Sequence, residues 1–229
     1  MRGAQEEDAP LVVTADMLAD EPADARVDFE RGMSYWPPTT LACLVTLVAV
    51  FVWQLASGAF ASQNALIDAG ALVRNRVIEG EWWRLASATV LHGSAEHLLG
   101  NCVALYILGL ACEHALGGWR LLVLYLASGL AGSAASVISG PGPSVGASGA
   151  ICGLMGAAVV VLFRYRHVYL VRNKEIGFVL AGWAAYTIFI GAITPMIDNW
   201  AHFGGLLGGA VVALGMQPRV RGSGAATGA

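Results

Sequence analysis

Residues 140–153 read GPGPSVGASGAICG, and they mark a sharp change in the character of the chain. The Gly-Pro pairs disfavour regular structure, because proline lacks an amide hydrogen and glycine is conformationally loose. From Gly149 to about Phe163 the chain is apolar and typical of a helix, so Ser148 lies at a loop-to-helix junction. The free N–H groups and the dipole of the first helical turn favour an anionic oxygen there. This junction suits a hydroxyl nucleophile with an oxyanion site, and it also suits a serine that only caps the helix.

The composition is that of a polytopic membrane protein. Of the 229 residues, 56% are apolar and 13% are charged, whereas a soluble globular domain is about 25% charged. The net charge of −3 comes largely from the acidic N-terminus, so we expect no nucleic-acid partner and no cleavable signal peptide. The cysteines lie in apolar runs without a CxxC pair, and we expect small buried thiols rather than a disulfide framework. They are Cys43, Cys102, Cys112 and Cys152.

Six apolar runs come close to the length of about 20 residues that crosses a bilayer. They span about 39–60, 96–115, 119–138, 148–163, 176–193 and 200–216. We therefore predict an all-α membrane protein built as a bundle of six transmembrane helices. The segment 61–93 is too charged to span and too apolar for a free linker, which predicts a membrane-associated first outer loop. The fourth run rises only ~24 Å, so Ser148 is expected below the membrane surface, where protein or a water-filled cavity would surround it.

The charge pattern predicts the domain limits and the orientation. We expect a mobile acidic cytoplasmic tail over 1–36, a membrane domain over 37–217 and a short flexible cytoplasmic tail over 218–229. Basic residues follow the second, fourth and sixth runs, whereas the loops after the third and fifth runs carry none. By the positive-inside rule both termini are expected in the cytoplasm, in a bacterial cell (inner) membrane.

Polar residues gather where three of these helices begin, all on the predicted outer side. The second run begins near His92, His97 and Asn101, the fourth begins at Ser148, and the sixth carries His202 in about its first turn. Ionisable residues in membrane segments are functional hypotheses by default. We expect His92 to structure the loop, and the other four residues to form a candidate site.

Glycines after His202 predict close packing of the sixth helix. Small residues let two membrane helices approach, and the helix presents Gly205 with Gly209 on one side and Gly204 with Gly208 on another. If it packs on the fourth helix, His202 reaches Ser148 and can serve as its general base. The alternative is a structural histidine that hydrogen-bonds between helices.

The roles of the neighbouring polar residues have competing interpretations. Asp198, four residues before His202, could complete a triad, but aspartate is a favoured N-cap, so we predict a cap and a Ser–His pair. His97 and Asn101 lie on one helical face and could donate to an oxyanion or only hydrogen-bond between helices. A zinc site is disfavoured, because no His-Glu-x-x-His sequence is present.

Taken together, these residues resemble the rhomboid family of intramembrane serine proteases, over about residues 39–217. The motifs that carry the resemblance are Trp83-Arg84, His92-x4-His97-x3-Asn101, Glu113-x3-Gly117, Gly146-Ala147-Ser148-Gly149 and Ala201-His202-x2-Gly205-x3-Gly209. Each motif is loose alone, whereas the set is specific in this order and at these topological positions.

The resemblance implies an endopeptidase that hydrolyses peptide bonds in or near transmembrane segments of membrane proteins. The site residues that it implies are Ser148 and His202 as the catalytic dyad; His97, Asn101 and the backbone N–H groups of Ser148 and Gly149 as the oxyanion hole; and Gly146 and Trp200 for substrate binding. It also implies a substrate gate made of residues 194–200 and the fifth helix. The implied partners are the lipid bilayer and single-pass membrane proteins with small residues at the scissile bond, without a cofactor or metal.

One position departs from the family pattern. The family often carries a tyrosine four residues after the nucleophile, stacked on the histidine, and this chain has Cys152 there. Another group, Phe203 or a neighbour, would then orient His202. The alternative function is a catalytically silent rhomboid-like protein that binds membrane helices, although such relatives usually lack the serine or the histidine. A small-solute transporter is disfavoured, because the chain shows no inverted repeat and no charged residue at mid-membrane.

Overall fold

The computed structural model describes residues 27–139, 142–170, 182 and 197–219. Within these residues, the elements in chain order are β1 (Val27–Asp28), α1 (Pro38–Ala56), α2 (Gln63–Asp68), α3 (Arg74–Ile78), α4 (Arg84–Ser87), α5 (Ala95–Leu116), α6 (Gly118–Ser139), α7 (Ser148–Arg164), β2 (Tyr169–Leu170) and α8 (Asn199–Leu214). The fold is therefore mostly helical, as the sequence predicts.

Three helices in the described part of the chain are long and apolar enough to cross a membrane. They are α1, α5 and α6, with 19, 22 and 22 residues. The apolar α7 has 17 residues, and α8 has 16. Five of the six predicted runs coincide with these helices, whereas the run at 176–193 lies outside the described residues except for residue 182. The count of six therefore stays a prediction.

The contact between α8 and α7 is the most extensive between two elements of the described structure. A Cβ at Gly205 would collide with the carbonyl oxygen of Gly149, and a Cβ at Gly209 would collide with that of Gly153. Because the contacts ascend both helices in the same order, α7 and α8 run parallel and bring their N-termini together. The predicted close packing of the sixth apolar run is confirmed, and its partner is the fourth run.

The second glycine face of α8 lies against α6. A Cβ at Gly204 would lie 2.5 Å from the Cβ of Ala135, and one at Gly208 would lie 2.6 Å from the Cβ of Ala131. Here the contacts descend α6 as they ascend α8, so these two helices are antiparallel. The N-terminus of α8 thus sits beside the C-terminal half of α6 and the first turn of α7.

The loop between α1 and α5 is folded around one arginine. Arg84 is buried, its Nη1 donates to the carbonyl of Ala71 at 2.9 Å, and its Nε donates to the Glu81 carboxylate at 2.6 Å. Further along, Leu72 and Ser144 exchange two backbone hydrogen bonds of 2.9 Å. This bridge ties the loop to the segment that leads into α7.

At the opposite end of the bundle, chain segments expected to be free tails pack on the helices. Val27–Asp28 pairs in parallel with Tyr169–Leu170, and Phe29 is 3% exposed. The Phe29 ring makes edge contacts with His114 and Tyr169 at centroid distances of 5.5 and 5.4 Å. Residues 27–29 of the expected tail therefore pack on the bundle, and the domain limits stay a prediction. The prediction for residues 1–26 lies outside the described residues.

The first residues of the expected C-terminal tail over 218–229 also contact the bundle. The Arg219 N–H donates to the carbonyl of Ala115 at 2.6 Å, and the Arg219 carbonyl accepts from the Tyr169 hydroxyl at 3.3 Å. Hydrogen bonds to the end of α5 and to β2 thus hold the chain as far as Arg219.

Candidate active site

Ser148 is the first residue of α7, and its side chain does not cap the helix. The N-cap position is Ala147, and among the described residues no side chain accepts from the first-turn N–H groups. The interpretation of Ser148 as a mere capping serine is therefore wrong. Its hydroxyl is therefore available as a nucleophile, and the N–H groups of the first turn are available as hydrogen-bond donors.

His202 lies in the first turn of α8, and its imidazole meets the Ser148 hydroxyl. The Nε2 atom of His202 is 2.8 Å from the Oγ atom of Ser148. When Nε2 is the unprotonated nitrogen, it accepts the hydroxyl hydrogen, which is the geometry of a nucleophile with its general base. The two residues are 54 positions apart in the chain, and the α7–α8 contact joins them.

Asp198 caps α8, as predicted. Its Oδ1 accepts from the Ala201 N–H at 3.0 Å, and its Oδ2 accepts from the hydroxyl of Ser136 on α6. Among the described residues, the buried Nδ1 of His202 has no hydrogen-bond partner. Asp198 therefore does not form the carboxylate–imidazole bond of a triad in this structure.

His97 and Asn101 converge on the loop just before Ser148. Gly146 has φ +134°, and a Cβ there would lie 2.7 Å from Cε1 and 2.9 Å from Nε2 of His97, and 3.6 Å from Nδ2 of Asn101. The Gly146 N–H donates to the Ala88 carbonyl at 2.8 Å, which holds the loop in place. Only glycine fits, because a side chain would be strained at this φ and would collide with the His97 ring.

His92 structures this region, as predicted, and a residue that the sequence analysis missed holds it. His92 is fully buried, and its backbone N–H and carbonyl each pair at 3.0 Å with the side-chain amide of Gln54 on α1. Its Nε2 lies 3.0 Å from Nδ2 of Asn101. Burial lowers the pKa of His92 to about 4, so the neutral ring can accept from the Asn101 amide. Gln54 is the one side-chain amide in the apolar run 39–60, which was the available signal.

The expected aromatic support for His202 is not found among the described residues. No aromatic ring there packs on His202, and Phe203 is 54% exposed. Cys152 is buried in α7, and none of the four cysteines forms a disulfide. Within the described part of the chain, no three His, Cys, Asp or Glu side chains are grouped to hold a metal.

A small cleft opens beside the first turn of α7. It is lined by Gly129, Ser133, Val145, Gly146, Gly149 and Ala201, among others. The cleft holds only about 20 Å³, so it has room only for a small side chain. Trp200, the other residue expected to bind substrate, is half-exposed at the start of α8 and does not line this cleft.

Comparison with known proteins decides the family. Residues 79–219 match the family model of the Rhomboid domain, which is more than half of the chain. The chain belongs to the rhomboid family. With its apolar helices, this rhomboid protein is an integral membrane protein.

Named rhomboid proteins of bacteria and plants are similar to it. The chain is 36% identical over 190 residues to Rhomboid protease GluP of Bacillus subtilis (strain 168), covering 82% of this chain and 36% of GluP. It is 31% identical over 200 residues to Rhomboid protease AarA of Providencia stuartii, covering 76% of this chain and 71% of AarA. It is 38% identical over 156 residues to RHOMBOID-like protein 5 of Arabidopsis thaliana, covering 61% of this chain and 46% of that protein. The chain thus spans less than half the length of two of these three relatives.

Proposed function

We propose that this rhomboid protein is an intramembrane serine endopeptidase that hydrolyses peptide bonds in or near transmembrane segments. The observation that carries the proposal is the 2.8 Å separation between Ser148 Oγ and His202 Nε2. The names of the relatives GluP and AarA, both called rhomboid proteases, support the reaction class.

In the proposed mechanism, Ser148 attacks the scissile carbonyl while His202 acts as general base. Nε2 takes the hydroxyl proton as Oγ bonds to the carbonyl carbon, and it returns that proton to the leaving amine. The resulting acyl-enzyme ester is then hydrolysed by a water that the same nitrogen deprotonates. The half-buried Ser148 therefore needs water to reach the first turn of α7.

The proposed oxyanion hole combines backbone and side-chain donors. The N–H groups of Ser148 and Gly149 belong to a helix start without a side-chain cap, so they can both point at a developing negative charge. His97 and Asn101 lie against the same loop and add a ring N–H and an amide N–H. Each such donor is worth about 100-fold to 1000-fold in kcat.

The proposed substrates are membrane proteins with a small residue at the scissile bond. The small volume of the cleft beside Gly146 and Gly149 supports this size limit. Trp200 is proposed to contact the substrate at the outer rim, where it is half-exposed. The gate proposed over residues 194–200 and the fifth helix lies mostly outside the described residues.

The proposal places the protein in a bacterial cell membrane with both termini in the cytoplasm. Two arginines at the end of the bundle opposite Ser148 support this orientation. Arg164 Nη1 donates to the Leu214 carbonyl at 2.7 Å, and Arg120 Nη1 donates to the Gln217 carbonyl at 3.2 Å. Basic residues at one end of a helical bundle favour the cytoplasmic side.

A fluorophosphonate probe on the purified protein in detergent tests the proposal. Wild type should be labelled, and both Ser148→Ala and His202→Ala should lose the label. Ser139→Ala and His167→Ala are matched controls, since both side chains are exposed, and they should label like wild type. Cleavage of a single-pass substrate with alanine at the scissile bond should follow the same pattern.

The result against the proposal is a folded wild-type protein that neither labels nor cleaves. If that protein still captures the substrate helix, the catalytically silent binding protein becomes the better assignment. The lack of an aromatic ring on His202 among the described residues, with Cys152 at the expected tyrosine position, is the observation that favours this second candidate.

A further inference from the structure

The start of α8 is attached to α6 by a single carboxylate with two partners. Asp198 Oδ1 accepts from the Ala201 N–H of its own helix, and Oδ2 accepts from the Ser136 hydroxyl. Ser136 is 5% exposed, so this hydroxyl lies inside the helix bundle. One oxygen thus caps α8 while the other joins the cap to a neighbouring helix.

The residue before His202 is held from two further sides. The Ala201 carbonyl oxygen would lie 2.6 Å from a Cβ at Gly132 on α6, and 3.1 Å from a Cβ at Gly149 on α7. The α8 backbone therefore touches both α6 and α7 at the residue before His202. These contacts limit lateral movement of α8, and the hydrogen bond to Ser136 limits its movement along the helix axis.

We infer that Ser136 and Asp198 are positioning residues that set the distance between His202 and Ser148. The inference rests on the proposed function, because it concerns the geometry of the same dyad. Asp198 precedes His202 by four residues, about one helical turn or ~6 Å along the axis. A rigid turn transmits a displacement at Asp198 to the imidazole almost unchanged. The inferred role of Asp198 is to hold the helix, and this role does not require its charge.

Three variants distinguish a positioning role of Asp198 from an effect of its charge on His202. Asp198→Ala removes both hydrogen bonds, and Ser136→Ala removes only the link to α6. Asp198→Asn keeps both, because asparagine caps helices as well as aspartate and its amide can donate to the Ser136 oxygen. Misplacing a reacting group by 1 Å costs up to about 100-fold in rate. We expect kcat to fall about 10-fold to 100-fold in Asp198→Ala and about 3-fold to 10-fold in Ser136→Ala.

The readouts distinguish positioning from a general loss of structure. KM for a transmembrane substrate should stay unchanged while kcat and the fluorophosphonate labelling rate fall in parallel. Asp198→Asn should rescue both to within about threefold of wild type. Adding Ser136→Ala to Asp198→Ala should cost nothing further, since the link is already absent. Ser62→Ala, which removes the cap of α2, and Ser139→Ala on α6 should behave like wild type.

Each contrary outcome has a defined meaning. If Asp198→Asn loses as much activity as Asp198→Ala, the charge of Asp198 matters and the positioning inference is overturned. If Ser136→Ala keeps full kcat in an active protein, the link to α6 does not set the dyad, and the inference is again overturned. An unlabelled, folded wild type instead overturns the proposed function, and this inference with it.

Discussion

Replacing Gly205 by alanine should separate the two residues of the proposed dyad. In the structure, a Cβ at Gly205 would overlap the carbonyl oxygen of Gly149, which is part of the α7 backbone. A backbone oxygen cannot rotate away as a flexible side chain does. The two helices must therefore move apart, and the movement occurs one residue from Ser148 and about one turn from His202.

The size of the effect follows from contact distances. Carbon–oxygen contacts between helices settle at about 3.3–3.6 Å, and relieving the overlap requires α8 to shift by about 1.5 Å. The 2.8 Å separation of Ser148 Oγ and His202 Nε2 would then become about 4.3 Å. Hydrogen-bonded proton transfer needs about 2.6–3.2 Å. We expect kcat to fall about 100-fold, equivalent to about 2.7 kcal/mol of transition-state stabilisation.

The assay compares Gly205→Ala with Gly215→Ala, a control at the end of the same helix. A Cβ at Gly215 would lie 3.6 Å from the Val212 carbonyl oxygen, an ordinary contact, so this variant should keep wild-type activity. Overpacking should also lower the free energy of unfolding of Gly205→Ala by about 1–3 kcal/mol, so activity is measured per folded protein. A folded Gly205→Ala protein with kcat within about threefold of wild type would refute the reasoning, because the α7–α8 contact would not set the dyad distance.

Three further predictions concern the groups around the dyad. Gly146→Ala should lower kcat by about 100-fold in a cleavage assay, because the new Cβ displaces His97. The control Gly142→Ala should keep the wild-type kcat, because nothing lies within 4 Å of the Cβ that it adds. Gln54→Ala should reduce the free energy of unfolding by about 2–5 kcal/mol, because two buried backbone groups of His92 lose their partners; an unchanged unfolding midpoint would contradict the pairing. Burial lowers the pKa of His92 from 6.5 to about 4. As the pH falls, His92 is therefore protonated in the unfolded chain before it is protonated in the folded protein. Its contribution to the free energy of unfolding is complete above about pH 6.5. Unfolding measured at decreasing pH should show a loss approaching about 3 kcal/mol near pH 4, and His92→Gln should remove that part of the pH dependence.

Much of this architecture could be predicted because its signals are local. Long apolar runs predict α1, α5 and α6 without any knowledge of their neighbours. The spacing of Gly205 and Gly209 predicts a flat helix face, and in a membrane such a face packs closely on another backbone. Asp198 could be assigned as a cap because capping depends only on the next three residues.

The contacts that could not be predicted join distant parts of the chain. Gln54 is visibly out of place in an apolar run, but its partner is 38 residues away and depends on how α1 meets the first loop. Ser136 is one of several serines on α6, and only the register between α6 and α8 selects it for Asp198. Phe29 stands alone in a polar segment, so no periodic pattern indicates that its ring is buried against His114 and Tyr169.

The division of the proposed dyad between α7 and α8 also has a consequence for biosynthesis. Ser148 leaves the ribosome 54 residues before His202, and the two meet only after α8 has been synthesised and has docked on α7. Until then, a nascent chain carries the nucleophile without its base. The proposed protease therefore cannot cleave neighbouring membrane proteins at the translocon, or its own unfinished copies, before its last described helix is in place.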